Sequence, residues 1–147
     1  MSVRVSIQEA DFDTGAELAA LGESDCGAVA SFVGRVRRGG DDVRAMTLEH
    51  YPAMTEKALA EIVAEAQGRW TLLGVTVIHR VGRLLPGDQI VLVGVAASHR
   101  GEAFAACEFI MDCLKTKAPF WKKEETPAGS HWVDARESDE AAASRWG

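Results

Sequence analysis

Apolar positions along this chain follow two different periods, and each period predicts a different element. Residues 3–7 alternate apolar with polar side chains and predict a first strand. Residues 53–67 and 103–114 instead place apolar side chains three or four positions apart, which is the spacing of one buried helix face. The sequence therefore predicts two main helices, one in the middle and one in the later part of the chain.

Four further runs predict strands. Residues 27–37 begin apolar and end basic, and residues 43–49 follow after a flexible turn at residues 38–42. Residues 75–81 and 89–97 are rich in β-branched side chains and are separated by a Pro-Gly turn. We expect these last two runs to pair as antiparallel neighbours.

Capping residues set the expected ends of the helices. Asp13 is placed to cap a short helix that ends near Gly22, and Gly68 is placed to end the helix that follows residue 53. Ser98 is the expected cap of the last long helix. Pro119 lacks an N–H and disfavours helical geometry in the residue before it, so that helix should stop near residue 117 or 118.

Taken in order, the elements predict an α+β fold in a single domain of residues 1–147. We expect a mixed, largely antiparallel sheet packed with two main helices. A short strand near residues 131–133 precedes an alanine-rich charged tail. The pattern leaves the order of the strands open.

Composition narrows the class of protein. With 147 residues, 47% of them apolar and 26% charged, the chain has globular values, and it contains no apolar run long enough to span a membrane. The first residues do not show the pattern of a signal peptide, which predicts a cytoplasmic location. A net charge of −6 argues against a general nucleic-acid binder.

The cysteines and histidines do not indicate a metal or redox site. The sequence has no CxxC pair, and its histidines lack the spacing of metal ligands. We therefore expect neither a metal nor a cofactor, and we interpret the cysteines as small buried hydrophobes and the histidines as hydrogen-bonding residues. The residues concerned are Cys26, Cys107, Cys113, His50, His79, His99 and His131.

Positive charge is concentrated at the end of the last long helix and in the segment that follows it, which the sequence predicts as a loop. Four lysines fall between positions 115 and 123, interrupted by Pro119 and by two aromatic residues. Burial of Phe120 and Trp121 would hold Lys115 and Lys122 at fixed positions beside one hollow. A solvated helix end is the alternative interpretation, because cations favour a helix C-terminus.

Two other basic groups lie at strand ends. Arg35 and Arg37 share a face if their strand continues through them, and two guanidinium groups there would form an anion site; a charged edge strand is the alternative. His99 and Arg100 lie between a strand and a helix, where free N–H groups favour an anion. Together with the lysines, these groups predict an anion pocket without a nucleophile of its own, so the attacking atom should arrive on a substrate or partner.

Five blocks of the sequence resemble the large, catalytic subunit of molybdopterin synthase, the MoaE family. The resemblance runs from about residue 27 to residue 136, with the blocks in the expected order and spacing. The blocks are Arg-Val-Arg at 35–37, Leu-Glu-His-Tyr-Pro at 48–52, Val-Ile-His-Arg-Val-Gly at 77–82, Ser-His-Arg at 98–100, and Leu-Lys-Thr-Lys-Ala-Pro-Phe-Trp-Lys-Lys-Glu at 114–124.

The resemblance implies an α/β hammerhead fold and a sulfurtransferase. Members of the family convert cyclic pyranopterin monophosphate to molybdopterin, and the two sulfurs come from the thiocarboxylate at the C-terminal Gly-Gly of a small ubiquitin-like subunit. The resemblance further implies a homodimer of large subunits that becomes a heterotetramer with two small ones. We expect neither nucleic acid nor a membrane as a partner.

By position, the resemblance implies Lys115 as the central catalytic residue and Lys122 as its partner. These amines would transfer protons or stabilise developing charge. The residues implied to bind the substrate are Arg35, Val36, Arg37, His99, Arg100, Lys115, Lys122, Lys123 and Glu124.

Two rival interpretations stay open. A non-catalytic module that binds the tail of a ubiquitin-like protein would need backbone pairing and apolar contacts, but not many cations around one cavity. A nucleotide- or RNA-binding domain would need a glycine-rich phosphate loop or exposed stacking aromatics, and the sequence shows neither.

Overall fold

The computed structural model describes residues 2–37, 43–133, 142–144 and 146. The predicted turn at residues 38–42 and most of the predicted charged tail lie outside these residues. In chain order the main elements are β1 (Ser2–Gln8), α1 (Thr14–Leu21), β2 (Ala28–Arg35), β3 (Ala45–His50), α2 (Pro52–Arg69), β4 (Leu72–Arg80), β5 (Gly82–Leu84), β6 (Gln89–Ala97), α3 (Arg100–Lys117), β7 (Phe120–Thr126) and β8 (Gly129–Val133).

The α+β class is confirmed, but the strands divide between two four-stranded sheets. The first sheet has the order β1-β4-β6-β2, in which β1 runs parallel to β4 and the other pairs are antiparallel. The predicted antiparallel pairing of the two β-branched runs is therefore confirmed as β4 with β6. The second sheet has the order β5-β3-β7-β8 and is antiparallel throughout.

The main core lies between the first sheet and helices α2 and α3. Leu59 of α2 and Ile110 of α3 pack there against Val77 and Val93 of the central strands. Helix α1 covers the opposite face, where Leu18 packs beside Ile78 and Leu92. Because β4 and β6 are covered on both faces, their sequences are nearly continuous apolar runs.

A smaller core fixes the second sheet to the rest of the chain. Val36, Met46, Leu48 and Leu84 are buried together, and Ile90 packs against both this cluster and the main core. The second sheet is therefore held close to the end of β2, where one of the predicted basic groups lies.

Three helix ends were predicted correctly from local chemistry. Asp13 is the N-cap of α1, with its Oδ1 accepting a hydrogen bond from the Ala16 N–H at 3.0 Å, and Gly22 is the C-cap. Helix α3 ends at Lys117, because the next residue is extended (φ −80°, ψ 133°) ahead of Pro119.

Two other predicted helix ends were wrong. Gly68 lies inside α2, which continues to Arg69 and has Trp70 as its C-cap. The N-cap of α3 is His99 rather than Ser98, and it has an extended backbone without a side-chain capping bond. In both places, a residue with a suitable local preference did not mark the end of the helix.

The strand predictions also needed correction near the basic groups. The strand predicted for residues 27–37 ends at Arg35, after a shift in register between Gly34 and Arg35. The lysine segment predicted as a loop is instead strand β7, which pairs with β3 on one side and β8 on the other. Strand β5 was not predicted from the sequence.

Candidate active site

Helix α3 carries Lys115 to one end of the main core. Leu114 is buried in that core, whereas the next residue, Lys115, is exposed in the last turn of the helix. The helix stops two residues later, and the chain turns at Pro119 into β7. Lys115 therefore projects from the corner between α3 and β7.

Strand β7 places Lys122 on the inner face of the second sheet. In its antiparallel register with β3, Phe120 lies opposite His50 and Lys122 lies opposite Leu48. Opposite side chains share a face and successive ones alternate, so Lys122 lies on the same face as Phe120 and the buried Leu48. Phe120 packs against the main core, which fixes this face inward.

The outer face of β7 carries Trp121 and Lys123. The Trp121 indole N–H donates to Glu49 Oε2 at 3.2 Å, and Lys123 Nζ lies 5.1 Å from the centre of the Trp132 ring. Glu124 returns to the inner face, with its Oε2 3.9 Å from His131 Nε2. The structure thus brings Lys122 and Glu124 to one side and directs Lys123 to the other.

Strand β2 ends at Arg35, and Arg35 and Arg37 are both exposed on either side of the buried Val36. Arg35 donates two hydrogen bonds to the Gly87 carbonyl, at 2.8 and 3.2 Å, and so braces the turn before β6. Val36 is buried beside Leu48, the residue opposite Lys122. Arg37 is exposed just beyond Val36, which brings its backbone close to the second sheet.

His99 and Arg100 lie at the opposite end of α3 from Lys115. They stand at the N-cap and first residue of the helix, and Lys115 is fifteen positions farther along. At 1.5 Å per residue this separates Arg100 from Lys115 by about 22 Å along the helix axis. One chain alone therefore does not bring the three predicted basic groups into a single pocket.

Comparison with known proteins assigns the family. The sequence model of the family described as MoaE protein matches residues 7–117. This chain belongs to the MoaE family. A relative from Ralstonia nicotianae, named molybdopterin synthase catalytic subunit, is 65% identical over 147 residues, covering 97% of this chain and 84% of its own length.

Solved structures of family members share the fold. The molybdopterin biosynthesis MoaE protein from Burkholderia ambifaria is 60% identical, with a TM-score of 0.85 over 100% of this chain and 99% of its own. A more distant match, 21% identical with a TM-score of 0.74 over 91% of each chain, comes from a protein–protein complex of subunits 1 and 2 of molybdopterin-converting factor from Helicobacter pylori. The second match supports the fold alone.

Two histidines, His79 and His50, lie beside Phe120 at the corner between α3 and β7, and neither was among the predicted site residues. His79 of β4 is buried, and the centre of its ring lies 3.8 Å from that of Phe120. Burial lowers the pKa of His79 from 6.5 to about 4, and the charges of Lys115 and His50 act in the same direction. Only the strand register places these residues together, so the local sequence gave no signal for the grouping.

The cysteines lie apart from this chemistry. Burial raises the pKa of Cys107 to about 11 and also raises that of Cys113, so both thiols stay protonated at neutral pH. Across the parts of the chain that the structure describes, no group of three or more His, Cys, Asp or Glu side chains is arranged to hold a metal ion. Within the same residues, no helix is both long and apolar enough to cross a membrane.

Proposed function

We propose that this chain is the catalytic subunit of a molybdopterin synthase. It would transfer two sulfurs from the thiocarboxylated C-terminus of a small ubiquitin-like subunit to cyclic pyranopterin monophosphate, forming the dithiolene of molybdopterin. Similarity over nearly the whole chain to a protein of that name supports this function. The structural observation that carries it is the corner between α3 and β7, where Lys115 and Lys122 flank Pro119 and the packed Phe120.

The corner is suited to chemistry in which the nucleophile arrives from outside. The thiocarboxylate sulfur of the partner would bond to a carbon of the substrate, and water would later cleave the acyl–sulfur bond so that the sulfur stays on the pterin. Negative charge develops on the displaced phosphate oxygen and on the acyl oxygen during these steps. We assign Lys115 and Lys122 to stabilise this charge and to deliver or accept protons.

We assign the phosphate of the substrate to Arg37 in preference to Arg35. The Arg35 guanidinium already donates to the Gly87 carbonyl, whereas Arg37 is exposed next to the second sheet. A guanidinium matches two phosphate oxygens at once, which a lysine does not. Glu124 shares the inner face of Lys122 and would line the same site, while Lys123 would act from the outer face.

The pocket would be completed by a second copy of the chain. His99 and Arg100 are too far from Lys115 of their own chain to contact the same small substrate. Strand β2 is an edge of the first sheet, and Phe32, which shares the α3 side of that strand with the core residue Ala30, is 41% exposed. Phe104, one turn from Arg100 on α3, is 64% exposed. An apolar surface of this kind next to the basic group supports a homodimer.

The partner of the dimer would be the small sulfur-carrying subunit, one at each end. The name molybdopterin synthase catalytic subunit, which the Ralstonia nicotianae relative bears, describes one subunit of a larger enzyme and supports such a partner. Cys26, Cys107 and Cys113 are free thiols, as is usual in reducing compartments, and we propose that the complex acts in the cytoplasm.

Reconstitution tests the proposed function directly. The purified chain is mixed with cyclic pyranopterin monophosphate and a thiocarboxylated small subunit, and the dithiolene product is measured. We expect product formation that consumes two thiocarboxylates per molecule, and none with a small subunit that ends in an ordinary carboxylate. Tight binding of the small subunit without product, under conditions in which a known synthase is active, would instead support the non-catalytic module.

A further inference from the structure

Three rings meet at the corner that carries the two lysines. The His79 and Phe120 rings are stacked, with 3.8 Å between their centres and 14° between their planes. The His50 ring, on β3, has its centre 6.0 Å from that of the Phe120 ring, and the two planes are tilted by 36°. We call these three residues the ring stack.

The orientation of His79 is fixed by its own backbone. Its Nδ1 lies 2.8 Å from the Arg80 carbonyl oxygen, which only accepts hydrogen bonds, so Nδ1 carries the proton and donates it. His79 is also buried in β4, a strand with partners on both sides. The imidazole therefore presents a rigid flat surface to Phe120 from the main sheet.

The ring stack holds the one aromatic residue between the two lysines that faces inward. Phe120 comes five positions after Lys115 and two positions before Lys122. It begins β7, and through its register with His50 it sets which residues of β7 face the core. Any movement of Phe120 would therefore change the distance between Lys115 on α3 and Lys122 on β7.

We propose that His79 is a positioning residue for sulfur transfer, which acts by stacking on Phe120 and so fixing the separation of Lys115 and Lys122. The proposal rests on the proposed function and concerns residues that do not themselves need to touch the substrate. Stacking of flat rings is expected to do this better than an aliphatic contact, because it restricts both the distance and the tilt of Phe120.

Charge around the ring stack is consistent with a neutral supporting role. Lys115 of α3, His50 of β3 and the Arg80 carbonyl of β4 are the charged, titratable and polar groups that act on His79. A protonated His79 would be repelled by the positive charge of Lys115. The neutral imidazole gives the same flat surface without that repulsion.

Two substitutions of His79 distinguish the effect of its ring from the effect of its hydrogen bond. His79→Phe keeps a ring against Phe120 and removes the Nδ1 donor, whereas His79→Asn keeps a donor near the Arg80 carbonyl and removes the ring. Ile78→Ala is the matched control, because Ile78 is the adjacent buried residue of β4 but packs on the opposite face with Leu92. Each variant is measured in the reconstituted complex with both substrates.

We expect His79→Asn to lower kcat at least about tenfold, the scale of a misplaced catalytic group, with KM for the pterin changed less than threefold. His79→Phe should stay within about threefold of the wild-type kcat, and Ile78→Ala should lose thermal stability but keep its kcat per folded molecule. A wild-type kcat in His79→Asn, or an equal loss in both His79 variants, would overturn the proposal. If His79→Asn does not fold, Phe120→Leu removes the other ring, and a normal kcat there would overturn it equally.

A second readout does not depend on the proposed function. Limited acetylation followed by mass spectrometry compares Lys115 with Lys117, which is exposed on the same helix end. We expect the ratio of their modification rates to change at least about threefold in His79→Asn and to stay close to wild type in His79→Phe. An unchanged ratio in His79→Asn would overturn the proposal. Failure of the wild-type chain to make product would overturn the proposed function and leave this ratio as the test of positioning.

Discussion

Among single residues, Lys115 combines high exposure with a fixed position. It follows the buried Leu114 but is itself exposed, so truncation of its side chain removes no apolar volume from the core. We expect Lys115→Ala to change stability by less than about 0.5 kcal/mol and to retain binding of the small subunit. Sulfur transfer should fall by about 10²-fold or more, because a positioned charge or proton-transfer group is lost.

The matched control is Lys115→Arg, which keeps the positive charge but does not readily release a proton. Substantial recovery of kcat by arginine would assign Lys115 to charge stabilisation, and a rate as low as that of alanine would assign it to proton transfer. Near-normal turnover of Lys115→Ala in an intact complex would remove Lys115 from the mechanism.

His79 makes stability depend on pH. Its pKa is about 4 in the folded chain and near 6.5 when unfolded, so between these values the unfolded chain binds more protons. The free energy of unfolding should therefore be highest above pH 6.5 and fall as the pH is lowered toward 4, by roughly 3 kcal/mol at most.

Denaturant unfolding at several pH values measures this effect, with His79→Phe as the comparison. The variant lacks the titrating group, so its stability should decline less steeply than that of the wild type between pH 6.5 and 4. Parallel curves for the two proteins would show that His79 does not contribute this pH dependence.

At the scale of elements, we expect Arg35 and Arg37, two neighbouring arginines at the end of β2, to have different roles. Arg35 donates to the Gly87 carbonyl, so Arg35→Ala should lower the free energy of unfolding by about 1 kcal/mol. Arg37→Ala should leave stability nearly unchanged and raise KM for the pterin roughly ten- to a hundredfold, the loss of a contact worth about 1.5–3 kcal/mol. Thermal unfolding and KM, measured on both variants, test the pair. A loss of stability in Arg37→Ala together with a raised KM in Arg35→Ala would assign the structural role to Arg37 and substrate binding to Arg35.

The end of helix α3 was predicted correctly from local signals, whereas strand β7, which is defined by its pairing, was not. Helix α3 was predicted to its last residue because its buried stripe and Pro119 are both read from adjacent positions. Strand β7 was predicted as a loop because its sequence, with two aromatic residues followed by four charged ones, lacks a clean alternation. Pairing with β3 on one side and β8 on the other makes it a strand, and no local pattern contains that information.

At the scale of the whole molecule, the sequence located the basic groups but not their arrangement. Lys115 and Lys122 lie on either side of the corner between α3 and β7, because only the end of that helix and the start of that strand separate them in the sequence. Within one chain, Arg100 lies about 22 Å from Lys115 along α3, a separation that the predicted length of the long helix already implied. Because α3 is a helix of 18 residues, residues at its two ends do not contact the same small molecule.

The separation of Arg100 and Lys115 leads to a prediction about assembly. The free chain should be a dimer, and a stable monomer in light scattering across micromolar concentrations would contradict it. If each pocket takes Lys115 from one chain and Arg100 from the other, neither Lys115→Ala nor Arg100→Ala homodimers contain an intact pocket. A heterodimer of the two variants contains one pocket with both changes and one with neither.

Co-expression with two different affinity tags allows that heterodimer to be purified and assayed with the small subunit. We expect it to recover about half of the wild-type activity per dimer, far above either homodimer, because one of its two pockets is intact. A mixed dimer of wild-type and doubly substituted chains, Lys115→Ala with Arg100→Ala, is the control. There every shared pocket would carry one change, so its activity should stay as low as that of the single variants. If the pockets were formed within single chains, the two mixed dimers would exchange behaviour: the first would be inactive and the second half-active.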